Sequence, residues 1–265
     1  MKTSSPISRP TLAIYGSMGA PLALVGYPIA IWLPAFYASH VGVSLAGVAT
    51  MLLLAKLSDV ITDPIIGVLS DRMRTPWGRR RPLILLGTPI LVVSIWYLFV
   101  PPEGVGQWYL LACIVGMYVG TSLIGLPYGA WGAEMSADYN QRARITAWRE
   151  QFTLIGLLAA AFIPFLVEQF GDGKIESIMR GMAIAIGLAA PISAILLSIF
   201  VRETPPESVL GKHEMPFLEG IKRIWSNHPM RVIIGIILIV TLAEAFRNAL
   251  SLFFMRAVIQ ASDVG

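Results

Sequence analysis

The chain has 265 residues, 55% of them hydrophobic and only 14% charged, with a formal net charge of +4. Soluble domains carry about a quarter charged residues, so this composition excludes an ordinary soluble enzyme and implies an integral membrane protein. Nucleic-acid binding is excluded too, because the basic residues cluster at the ends of apolar segments, where membrane topology uses them.

The N-terminal stretch MKTSSPISRP leads into an apolar segment at about 11–38. That segment is too long for a signal-peptide core and has no clear small-residue cleavage site, so it reads as an uncleaved first span. Pro21, Pro28 and Pro34 predict kinks within it. Further apolar segments follow at about 43–71, 83–100, 108–132, 147–170, 178–201 and 230–259. Each is near the roughly 20 residues that a membrane helix needs, which gives seven spans. Cys113, the single cysteine, lies in the fourth and excludes an internal disulfide or a zinc site built on thiolates.

The connections alternate in charge. The 72–82 loop, RMRTPWGRRRP, holds five arginines, and 133–146 adds Arg142 and Arg144. Residues 39–42 and 101–107 carry no lysine or arginine, and 171–177 has only Lys174. The positive-inside rule then places the N-terminus in the cytoplasm. Residues 202–229, with their prolines, glycines and charges, read as a cytoplasmic linker. The expected organisation is a six-helix half over 1–201, the linker, and a seventh helix over 230–265 that starts a second half. Transporters built from repeated halves have this layout.

The second segment carries KLSDVITDPIIGVLSD at 56–71. Asp59 and Asp63 are four residues apart and share one helix face, and Lys56 reaches the same face. Asp63 lies eight residues before Asp71, about 12 Å at the helical rise, and Asp59 about 18 Å. Both are then near the midplane of a core about 30 Å thick. A charge there costs at least ~2.5–3.5 kcal/mol, and such groups usually face a cavity and carry function. Lys56 neutralises one carboxylate. The second either helps to hold a small cation, with hydroxyls from Ser58 or Thr62, or takes a proton under repulsion from the first. The bland alternative is a Lys–Asp pair that locks two helices. Pro64 cannot donate to the carbonyl of Val60, and the freed carbonyl would widen the site.

Residues 52–88, LLLAKLSDVITDPIIGVLSDRMRTPWGRRRPLILLGT, resemble the second helix, following loop and third helix of the melibiose-permease-like glycoside–pentoside–hexuronide:cation symporters, within the major facilitator superfamily. The resemblance rests on a basic residue, x-x-Asp-x-x-x-Asp-Pro, and then WG with basic residues and a proline. YG at 15–16, PY at 127–128 and the arginine of ITAWREQF match more weakly. The resemblance implies an all-α polytopic fold of twelve helices in two halves, of which this chain supplies six plus a seventh. It implies Asp59 and Asp63 as ligands of a coupling Na⁺ or H⁺, Thr62 where ion preference is tuned, and Ser122 as a further oxygen. Arg149 corresponds to an arginine of the solute cavity. Acids that bind sugar hydroxyls on the first and fourth helices of sugar-binding members have no match here, where GAPLALVG and Gly125 stand instead.

The implied function is cation-coupled transport of a small, sugar-like solute across a plasma or bacterial inner membrane. A lysolipid or other amphiphile is the alternative solute, and an incomplete, non-transporting membrane protein the alternative class. Expected partners are solute, membrane lipid, and a missing second half or a second copy. Asp71, Arg72, Gly78, Arg79 and Arg80, with Arg81, are either a gating element or plain topological charge. Asp71, an acid at a helix end, can pair with a neighbouring helix N-terminus. Glu244, Arg247 and Asn248 on the seventh helix are cavity-lining candidates, or a self-neutralised pair. Tyr27, Trp32, Tyr118 and Tyr128 can stack on a sugar or lie at the interface, whereas Trp131 and Trp148 are expected at the interface. His40, His213 and His228 form no metal constellation. No phosphate loop, nucleophile elbow or zinc spacing occurs, so neither an enzyme nor a cofactor beyond the coupling ion is expected.

Overall fold

A computed structural model describes the backbone over residues 7–203 and 217–257, and the side chains over 7–203, 222–244 and 246. Among these residues there are nine α-helices and no strand. They are α1 (Arg9–Ser17), α2 (Gly19–Phe36), α3 (Leu45–Arg72), α4 (Arg81–Phe99), α5 (Gln107–Glu134), α6 (Tyr139–Phe170), α7 (Ile175–Phe200), α8 (Phe217–Ser226) and α9 (His228–Ala257). The chain divides into two compact units, Met1–Ser208 and Val209–Gly265. Six stretches of the first unit are long and apolar enough to span a membrane: Arg9–Val41, then α3 to α7 one helix each. The protein is an all-α, multi-pass integral membrane protein.

The first span is broken between Ser17 and Gly19. Proline prevents the helical bond to the carbonyl four residues back, and Pro21 stands four residues after Ser17. The Ser17 carbonyl instead accepts from Ser193 Oγ on α7 at 3.3 Å. The span ends in a single wide π turn, Tyr37–Val41, stopped by Gly42 at φ 78°.

Packing within the first unit pairs α4 with α5 and α7, α3 with α5, and α1 and α2 with α6. Helices in a bilayer gain little from expelling water and rely on close backbone approach at small residues. Gly156 of α6 leaves no room for a side chain against Ala20, since a Cβ there would lie 2.2 Å from the Ala20 carbonyl. Gly120 of α5 meets Leu91 of α4 in the same way, at 2.7 Å.

Two helices extend beyond the sequence expectation. The helix α6 begins at Tyr139 rather than near 147, because Asp138 caps it by accepting from the Gln141 N–H at 2.9 Å. The helix α8 lies inside the segment expected to be a plain linker. Its sequence, FLEGIKRIWS, places Leu218, Ile221 and Trp225 at helical spacing, an amphipathic pattern hidden among prolines and charges.

Candidate functional site

The buried side of α3 runs through Val48, Met51, Ala55, Ile66 and Ser70. The same stripe at helical spacing passes through Asp59 and Thr62 or Asp63, so the carboxylates replace core residues. Lys56 Nζ donates to Asp59 Oδ2 at 2.8 Å and lies 4.7 Å from the centroid of the Tyr118 ring on α5. The Asp59 side chain is 12% exposed and that of Lys56 65%. Asp59 Oδ1 and Asp63 Oδ1 are each buried without a hydrogen-bond partner. An unmet carboxylate oxygen is costly, more so than a neutral group's ~1–3 kcal/mol. A groove of about 470 Å³ runs past Lys56, Asp59, Asp63 and Pro64. Two carboxylates, one ammonium and two open oxygens thus border one groove, a donor set of the kind that hard cations and protons favour.

Thr62 Oγ1 donates to the Ser58 carbonyl at 3.1 Å and keeps its lone pairs free to coordinate. Ser122 is half-buried on α5, one turn beyond Tyr118, and bonds to neither carboxylate. A second cavity, of about 510 Å³, opens between α2, α3 and α5. Its wall is mostly apolar, from Leu22, Ile29 and Leu52, with Lys56, Tyr118 and Thr121 as the polar edge. Gly26 contributes open space to it, since a Cβ there would touch nothing.

Arg149, on α6, forms a fork to its neighbour Glu150, with Nη2 to Oε1 at 2.9 Å and Nε to Oε1 at 3.1 Å. Tyr128, a sequence candidate for the solute wall, is instead buried in a reciprocal clamp. Its hydroxyl donates to the Tyr15 carbonyl at 2.9 Å, the Tyr15 hydroxyl donates to the Tyr128 carbonyl at 3.0 Å, and the rings stack at 4.6 Å. Gly132 makes this possible, for a Cβ there would meet the Tyr15 hydroxyl at 2.0 Å. Tyr27 is half-buried and packs on the core, as does Trp148, whose ring stacks on Phe152. Trp131, expected at the interface, is buried instead, with the Arg81 guanidinium over its ring at 5.8 Å and its indole N–H without a hydrogen-bond partner. Glu244 is exposed on α9, and the side chains of Arg247 and Asn248 lie outside the described residues.

The arginine-rich end is organised differently. Arg80 is 4% exposed and bonds to Asp71 Oδ1 at 3.0 Å, to Ser70 Oγ, and to Glu134 Oε1 at 2.8 Å. Arg79 bonds to the same Glu134 oxygen. Arg72 is exposed and takes no part. The acid at the N-terminus of α4 is Glu203 rather than Asp71: its carboxylate accepts from the backbone N–H of Arg79 at 2.6 Å, Arg80 at 3.1 Å and Arg81 at 2.8 Å. Neither Glu134 nor Glu203 stands out in the sequence. Their signal is arithmetic, since three adjacent arginines at one end of a bundle require counter-charges.

The family described as MFS/sugar transport protein matches residues 14–264. An uncharacterized symporter YnaJ of Bacillus subtilis is 27% identical over 94% of this chain and 55% of its own length. The inner membrane symporter YicJ of Escherichia coli is 25% identical over 94% of this chain and 55% of its own length. A glucuronide carrier protein homolog of Escherichia coli is 27% identical over 89% of this chain and 52% of its own length. The chain thus spans about half the length of the curated relatives it matches.

Proposed function

Because the chain belongs to the MFS/sugar transport protein family, we propose that it forms the ion-binding half of a secondary transporter that moves a sugar-like solute together with Na⁺ or H⁺. The carrying observation is the pair of buried, unpartnered oxygens at Asp59 and Asp63, one turn apart beside Lys56. In this reading the ion completes the shell around the two carboxylates. Thr62 supplies a nearby oxygen and Lys56 balances the remaining charge. The cavity between α2, α3 and α5 shares Lys56 with the ion groove, so solute and ion act on the same side chain. Joint occupancy then favours rocking of one half against the other.

The proposed topology has the N-terminus and the arginine-rich end in the cytoplasm of a bacterial inner membrane. Residues 1–201 act as the six-helix half, 202–229 connect it, and 230–265 begin the other half. Arg149, Glu244, Arg247 and Asn248 are proposed to border the solute path. A second reading, an amphiphile such as a lysolipid as the solute, is favoured by the apolar wall of the cavity and by the absence of a carboxylate from it. The test is ion-gradient-driven uptake by membrane vesicles containing the protein, with parallel panels of glycosides and lysolipids. Uptake of a glycoside stimulated by an imposed Na⁺ or proton gradient supports the sugar reading. Stimulation by lysolipid alone supports the second, and uptake indifferent to both gradients contradicts the coupling.

A further inference from the structure

At the end of the bundle opposite the arginine loop, the first span closes in the π turn Tyr37–Val41. Such wide turns are frequent at functional sites. Tyr37 anchors the turn: it is buried, and its hydroxyl donates to the Leu98 carbonyl at 2.9 Å. His40 is exposed, with its ring stacked on that of Phe36 at 5.8 Å. Its Nδ1 lies 2.8 Å from Ser39 Oγ. The Ser39 hydroxyl already donates its one proton to the Ala35 carbonyl at 2.7 Å. Both bonds hold together only when Nδ1 itself carries a proton. A neutral His40 then has a bare Nε2, and this atom faces Glu176 Oε1, at the start of α7, at 3.7 Å. Two sets of lone pairs meet there, at a distance too long for a hydrogen bond. A second proton, on Nε2, turns the contact into a charge-assisted ion pair. A cavity of about 450 Å³ opens beside it, lined among others by Phe36, His40, Phe99, Glu103, Glu176 and Arg180. The charged groups that border it with His40 are thus Glu103 from the connection before α5, and Glu176 and Arg180 from α7. Two carboxylates against one guanidinium leave one negative charge in excess, and the imidazolium of His40 cancels it.

We propose that His40 and Glu176 form a proton-operated latch between the end of the first span and the start of α7. With His40 neutral, the facing lone pairs hold nothing together. With His40 charged, its Nε2–H donates to Glu176 and the π turn is drawn onto α7 beside the cavity. Histidine changes its charge between about pH 5 and 8, so the latch closes in mildly acid medium and opens in mildly alkaline medium. On the proposed topology this end faces the outside of the cell, and the latch reads the external pH. It uses neither Asp59 nor Asp63 and needs no solute, so it stands independently of the transport reading.

Amide hydrogen exchange on the full chain in detergent tests this at about pH 5.5 and about pH 8, on either side of the histidine range. Rates are expressed as protection factors, which removes the pH dependence of exchange itself. An exposed ion pair implies protection about two- to fivefold higher at the acid pH for Tyr37–Val43 and for Lys174–Ile178. Met117–Gly120 in the middle of α5 should not change and reports that the fold is intact. His40→Gln and Glu176→Gln should each remove the difference in both segments, whereas Glu103→Gln should keep it. Nitrogen NMR of isotopically labelled histidine reads the tautomer separately. At the alkaline pH the signals that vanish in His40→Gln should place the proton on Nδ1, and Ser39→Ala should move it to Nε2. A parent without the pH difference, a difference that survives in His40→Gln or Glu176→Gln, or its loss in Glu103→Gln would overturn the latch. So would a neutral His40 that carries its proton on Nε2.

Discussion

The middle of α3 and the arginine-rich end of the same bundle treat charge in opposite ways. At the arginine-rich end, Arg79, Arg80 and Arg81 meet Ser70, Asp71, Glu134 and Glu203, and the carboxylates are shared among several donors. In the middle of α3, two carboxylates have one lysine between them, and each keeps an oxygen buried without a partner. The first arrangement spends its charges on holding helices together. The second leaves two carboxylate oxygens unmet. Buried charge left unmet, rather than charge density, is what singles out the middle of α3 as the candidate site.

The largest expected effect lies at the paired end. Arg80→Ala removes a nearly fully buried guanidinium and its bonds to Ser70, Asp71 and Glu134, of which Glu134 keeps Arg79, so stability should fall by up to about 3 kcal/mol. Thermal unfolding in detergent reads this, and a melting temperature equal to that of the parent would erase the distinction between the two regions. Gly78→Ala comes next. It must adopt φ 120° and displace Glu203, a strain of about 1–3 kcal/mol, measurable on the same instrument. Gly132→Ala should loosen the Tyr15–Tyr128 clamp through the 2.0 Å contact, with near-ultraviolet dichroism of the tyrosines as the probe.

The effects on stability should be smallest in the middle of α3. Lys56→Ala removes an ion pair whose lysine is two-thirds exposed, worth about 0.2–1 kcal/mol. It should nevertheless change the pH dependence of uptake, because two neighbouring carboxylates then share a site without a cation and one is favoured in its protonated form. A pH profile identical to the parent's would mean that Lys56 does not serve the carboxylates.

The six spans, their order and the charges of α3 are legible in the sequence because each follows from a local rule: apolar length, loop charge, or spacing of four along one helix. The Lys56–Asp59 pair is an i, i+3 contact and needs no tertiary knowledge. Glu203, by contrast, finds its partners 122 to 124 positions away, and Tyr128 finds Tyr15 at a separation of 113. Nothing local distinguishes a tyrosine that lines a cavity from one that clamps a backbone. The break in the first span was readable as a proline effect, yet its position four residues before Pro21 required the carbonyl geometry. The helix α8 was hidden because proline, glycine and charge dominate its neighbourhood, while its apolar spacing occupies only ten residues.

Ion binding itself, measured without solute, probes the central claim most directly. Isothermal titration of the purified protein with Na⁺, paired with proton uptake followed by infrared absorption of the carboxyl groups, should detect one ion in the parent protein. Asp59→Asn and Asp63→Asn should each abolish that signal with little loss of stability, while Asp71→Asn, at the paired end, should leave it intact. Binding that persists in the Asp59→Asn/Asp63→Asn double variant, or a parent that takes neither ion, would contradict the assignment of these two carboxylates as the coupling site.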